Sequence, residues 1–133
     1  MLIYFGYTGC RDTCPVDAQN ISAAIDLLGP AGDDVVPVFI TIDPERDTPE
    51  RLRMFLSAFH PRFVGLTGTV AETDEVAAAY RVEYERMNED APDVYDISHP
   101  GLMYLMGRQG EFLTLFPPLS EPEAMADEIR KHL

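Results

Sequence analysis

Basic side chains are scarce in this sequence. Ten Lys and Arg stand against 23 Asp and Glu, a formal charge of -13 spread along 133 residues. A surface of that sign repels phosphate backbones and anionic membranes. Nucleic acid is therefore excluded as an expected partner, and the acidity is read as solubility. Long apolar runs are missing as well: no segment reaches the ~20 residues that cross a bilayer as a helix. No basic segment followed by an apolar one opens the chain as a secretion signal would. No repeat period is present, and 46% hydrophobic content suits the single core of one domain over residues 1–133. The chain opens inside a strand, "MLIYFGYT". The domain is thus expected to be cut short at its N-terminus, and missing targeting signals say nothing of compartment. Cysteine is rare too. Only Cys10 and Cys14 occur, so all thiol chemistry is confined to "YFGYTGCRDTCPVD".

What is there gives a map of elements. Leu2 to Tyr7 and Val35 to Ile42 are rich in β-branched and aromatic residues and predict buried strands. Between them Ala18, Ile21, Ile25 and Leu28 mark one face of a helix ending near Gly29-Pro30. Leu52, Phe55, Leu56 and Phe59 mark a second helix, with Thr48 as N-cap and Pro49 at its first position. "FVGLTG" predicts a strand leading to a third helix that opens on a capping box at Thr69 and Glu72, with Val76 and Tyr80 facing inward. "NEDAPD", Asn88 to Asp93, reads as an acidic loop. "LMYLMG" and "FLTLF", on either side of Arg108-Gln109-Gly110, predict an antiparallel hairpin. A last helix is expected from a capping box at Ser120 and Glu123, burying Met125, Ile129 and Leu133. This order of elements is similar to a thioredoxin-like α/β three-layer sandwich, a central mixed sheet flanked by helices.

On this map the cysteines fall where the first strand passes into the first helix. Pro15 suits an opening helical turn, which places Cys14 at or next to the N-cap. A helix N-terminus favours thiolate over thiol, and thiolate is both nucleophile and metal ligand. If the segment were extended, the two Cα atoms would lie more than about 12 Å apart, whereas one helical turn brings them to about 6 Å. Only the turned form lets both sulfurs share one ion or bond to each other. Two buried core cysteines are the bland alternative, and the polar Arg11, Asp12 and Thr13 between them fit it poorly. Sites collect at this end of the strands in α/β sheets.

A third ligand separates metal from disulfide. His60 sits at a helix end and His132 beside the C-terminus, and both are read as structural or solvated. His99, in "YDISHPGLMYL", precedes the hairpin, in a loop that a thioredoxin-like layout packs against the thiols. Asp43 and Asp47, in "DPERD", follow the second strand at the same sheet edge. Asp47 is read as part of a capped turn in which Arg46 pairs with a neighbouring acid. Asp43 is kept as an outer contact to the ligands.

"YFGYTGCRDTCP", "FITIDPERDTPE", "FVGLTGT", "AAAYRV" and "HPGLMYLMGRQGEFL" together resemble the Sco/SenC family of copper-binding proteins. The resemblance runs in order from Leu2 to the C-terminus. It implies a metallochaperone for the CuA centre of cytochrome c oxidase, with Cys10, Cys14 and His99 as ligands to Cu(I) or Cu(II). It further implies, as partners, the CuA-bearing oxidase subunit and other copper chaperones or thiol reductants. The family's compartment is the periplasmic face of the bacterial inner membrane or the mitochondrial intermembrane space, reached by a membrane anchor not found in this chain. Arg11 stands where the family usually has proline, and Ser98 where it usually has aspartate.

The chemistry of the donors agrees with that resemblance. Two soft thiolates suit Cu(I), and one imidazole helps the same site hold Cu(II). A structural zinc site normally takes four protein ligands, and the sequence offers no fourth. The rival reading is a thiol–disulfide oxidoreductase that reduces partner cysteines, with Cys10 and Cys14 as its redox pair. Pro100 supports it, standing where thioredoxins carry a cis-proline, so a cis His99–Pro100 bond is a candidate feature.

Overall fold

The computed structural model describes residues 1–10, 13–87, 96–98 and 101–133. Five strands form a mixed sheet in the order β3-β2-β1-β6-β7: β1 (Leu2–Gly6), β2 (Pro37–Thr41), β3 (Val64–Leu66), β6 (Met103–Met106) and β7 (Phe112–Phe116). The first three run parallel, and the β6–β7 hairpin joins antiparallel to β1. Among the described residues four α-helices accompany it: α1 (Thr13–Leu28), α2 (Pro49–Leu56), α3 (Val70–Ala79) and α4 (Pro122–Arg130).

Successive residues of the central strand serve opposite faces, as the strand period of two requires. Tyr4 packs at a tilt against Phe39, centroids 5.8 Å apart, and Phe39 meets Phe55 of α2 at 5.4 Å, whereas Phe5 meets Tyr80 at 5.5 Å and Tyr104 at 6.1 Å. Every residue of β1 is buried. Helices therefore cover both faces, and the thioredoxin-like three-layer sandwich expected from the sequence is the fold observed. None of the helices among the described residues is long and apolar enough to cross a membrane.

The predicted elements recur close to their expected bounds. Ala18, Ile21, Ile25 and Leu28 are buried, and Gly29, with φ 61, ends α1 before a short 3-10 turn over Gly29–Asp34. The capping box at Thr69 and Glu72 forms with both of its bonds. Val76 and Tyr80 are half-buried against the core, while Thr73 and Ala77 lie deeper. Thr48 caps α2, its hydroxyl accepting the Arg51 amide at 3.2 Å. Thr48→Ala should therefore cost about 1 kcal/mol, or about 3–5 °C in melting temperature for a domain of this size. A thermal melt checks this, and an unchanged midpoint would show that the bond adds nothing net.

Two expectations need correction, and one element goes beyond them. The last helix does not open on a box at Ser120. Its N-cap is Glu121, with no side-chain capping bond, because Pro122 fixes the first turn and the Ser120 hydroxyl donates instead to the Pro117 carbonyl at 2.6 Å. Leu133 is not buried with Met125 and Ile129. It lies beyond the end of α4 and is exposed. A separate antiparallel ribbon, β4 (Glu85–Met87) with β5 (Asp96–Ser98), was not anticipated. The acidic segment Asn88 to Asp93 lies outside the described residues.

Candidate functional site

β1 and β2 end side by side, the Ile42 amide donating to the Gly6 carbonyl at 2.9 Å. The chain leaving β1 turns at once: the Cys10 amide donates to the Tyr7 carbonyl at 3.2 Å, and α1 begins at Thr13. Cys14 thus falls in the first helical turn. Its amide donates to Cys10 Sγ at 3.4 Å, so the turned form of the CxxxC segment is the one adopted. Both cysteines are thiols in this structure.

The two thiols have unlike surroundings. Cys10 is half-buried, while Cys14 is wholly enclosed in the core. Gly6 makes room for it: a Cβ there would lie 3.0 Å from Cys14 Sγ, 3.0 Å from Phe39 Cζ and 2.8 Å from Tyr4 Cε1. The Tyr4 hydroxyl donates to Cys14 Sγ at 3.5 Å. The adjacent Cys10 sulfur, and then burial, push the Cys14 thiol well above its ordinary range, with the Tyr4 hydroxyl and the Tyr7 backbone pulling the other way. In the metal-free state a second sulfur and the loss of water thus act against the partial dipole charge that favours thiolate.

Two further residues complete the floor. Tyr4 is held above the usual phenol range by burial first, then by the neighbouring Cys14 and Asp17. Asp17 is buried on α1, and its Oδ1 accepts the Leu119 amide at 2.7 Å. Its other oxygen would lie 3.9 Å from a Cβ at Gly101. The register Tyr4↔Met103 between β1 and β6, carried on by two residues, sets Gly101 level with Gly6. Gly101 thus lies beside the thiol end of β1. His99 and Pro100 themselves lie outside the described residues, as does the question of a cis bond between them. Among the described residues no group of three His, Cys, Asp or Glu forms a metal cluster.

The aspartates of "DPERD" divide their work. Arg46 pairs with Asp43 at 4.0 Å, the neighbouring-acid contact expected of it. The link to the thiol loop comes from Asp47, which is fully buried. Its carboxylate accepts the Thr8 amide at 3.0 Å, the Thr8 hydroxyl and the Thr41 hydroxyl at 2.7 Å. Arg51 lies 3.8 Å from the same group and donates to the Thr8 hydroxyl at 2.9 Å. Asp47 therefore holds the loop two residues before Cys10, a role beyond the capped turn read from sequence. His60 lies 3.6 Å from Asp26, with its Nδ1 accepting the Arg62 amide at 3.1 Å, and His132 lies 3.4 Å from Glu128.

A family model described as SCO1/SenC matches residues 1–133. The human mitochondrial SCO1 homolog is 41% identical over 135 residues, covering 100% of this chain and 45% of that protein. The SenC protein of Rhodobacter capsulatus is 41% identical over 128 residues, covering 96% of this chain and 58% of its own. The chain thus spans about half the length of the curated relatives it matches. The crystal structure of Arabidopsis thaliana ScoI with copper bound superposes with a TM-score of 0.90 at 39% identity, covering 98% of this chain and 81% of that one.

Proposed function

Because this chain belongs to the SCO1/SenC family, we propose that it is a copper-binding protein that takes the ion on Cys10, Cys14 and His99 and serves assembly of the CuA centre of cytochrome c oxidase. The observation that carries this reading is the contact of Cys10 Sγ with Cys14 across a single turn. Two soft donors on one turn can share one ion, and soft thiolates select Cu(I). The solved Arabidopsis relative carries copper on the same fold. Asp43 remains a proposed outer contact, and Asp47 supports the loop from behind. The proposed setting is the periplasmic face of the bacterial inner membrane, with the mitochondrial intermembrane space as the alternative. The CuA-bearing oxidase subunit receives the ion, and a thiol reductant or another copper chaperone precedes it.

A second reading has its own observation. Thiols this close can also close into a disulfide, giving two electrons and two protons to a partner disulfide, which opens to two thiols. In an oxidising compartment the pair would drift to that state and lose copper unless something reduced it. Thiol exchange would then gate loading.

His99→Ala, made in protein with its thiols kept reduced, separates the two. Cu(II) depends on nitrogen more than Cu(I) does. Its affinity should fall by more than the ~10–100-fold that loss of an outer partner costs. The Cu(II)–thiolate absorption should vanish while Cu(I) stays on two sulfurs and the disulfide forms and reduces as before. Unchanged Cu(II) binding with crippled disulfide exchange would promote the oxidoreductase.

A further inference from the structure

We propose that Tyr4 is a positioning residue for the bound ion, its buried hydroxyl donating to the Cys14 sulfur and thereby biasing the site toward Cu(I) over Cu(II). The inference rests on the copper reading above and adds a residue that lies outside the ligand set. It starts from geometry. Tyr4 sits in the central strand with no exposed surface, its ring tilted against Phe39 with centroids 5.8 Å apart and packed beneath Gly6, so the ring cannot swing away. A buried hydroxyl needs a partner. Its partner here is Cys14 Sγ at 3.5 Å.

What that bond contributes depends on the charge of the sulfur. A thiol is a weak acceptor, so in the metal-free protein the bond is weak. To bind copper, Cys14 gives up its proton to solvent and becomes an anionic acceptor, and hydrogen bonds to ionised groups are about twice as strong as neutral ones. The hydroxyl then stabilises the filled sulfur orbitals and draws charge out of the copper–sulfur bond. Cu(II) depends on that donation more than Cu(I), and hydrogen bonding around a cysteine sulfur is a recognised control on copper potentials. Phenylalanine would occupy the same space without the donor.

The test is Tyr4→Phe in the whole chain, reduced and loaded separately with Cu(I) and Cu(II), beside wild type and Cys14→Ser. Competition with a Cu(I) chelator and with a Cu(II) chelator gives the ratio of the two affinities, and absorption gives the thiolate-to-Cu(II) band. Tyr4→Phe should move that band to longer wavelength and shift the affinity ratio toward Cu(II) by about 10-fold or more, with a native melt and two titratable thiols. A band and ratio identical to wild type, in protein whose copper is lost on Cys14→Ser, would sink the role of Tyr4 and leave the copper reading standing. Copper binding that survives Cys14→Ser unchanged would sink both.

Discussion

Asp47→Ala is expected to be the most destabilising single change outside the apolar core. The substitution removes the acceptor of the Thr8 amide, the Thr8 hydroxyl and the Thr41 hydroxyl at once, and leaves Arg51 without the carboxylate it approaches at 3.8 Å. Breaking a buried charged network costs about 3–5 kcal/mol, which for a domain of this size is a fall of about 10–20 °C in melting temperature. Asp47→Asn keeps an acceptor and should lose about 1–3 kcal/mol, the range for one unsatisfied buried group. Paired thermal and urea unfolding of the two variants measures the difference. A melt for Asp47→Ala within experimental error of wild type would mean that the thiol loop is held by something else.

Gly6→Ala attacks the site from below. The added methyl would sit 2.8 Å from Tyr4 Cε1 and 3.0 Å from both Phe39 Cζ and Cys14 Sγ, and all three neighbours belong to fully buried side chains. Overpacking of this kind costs about 1–3 kcal/mol. Of the three atoms that must give way, only the sulfur is a proposed ligand, so any shift there reaches the ion directly. The proposed copper site should therefore fail before the fold does. A variant that melts a few degrees low yet holds copper as tightly as wild type would contradict that order. Circular dichroism melts and chelator competition on one preparation decide it.

The fold was legible because its elements carry their own signals. α1 shows its buried face in Ala18, Ile21, Ile25 and Leu28, and α2 and α3 carry caps at Thr48 and Thr69 that form as read. Where a short pattern was matched without its surroundings, reading failed. Ser120 and Glu123 have capping-box spacing, yet Pro122 and the Pro117 carbonyl decide where α4 begins. The β4–β5 ribbon was invisible because three residues per strand are too few to show a period. The thiols could be found from spacing alone. Tyr4, Asp17 and Asp47 could not be assigned their roles, since each acts across the chain: Asp47 reaches Thr8 over 39 positions and Asp17 reaches Leu119 over 102. One signal was available for Asp17, an acidic residue three after Cys14 on a helix face otherwise apolar at Ala18 and Ile21.

The unequal burial of the two sulfurs gives any handover a direction. An arriving group meets Cys10, because Cys14 presents no surface to solvent. On the proposed copper reading, the outer sulfur would be the first contact in loading and the point at which a recipient's ligand enters during release. The inner sulfur, enclosed by Tyr4, Gly6 and Phe39, would let go last. A cargo passed this way is never wholly unbound. It moves by exchanging one bond at a time, with the protein's grip loosened from outside and kept from within.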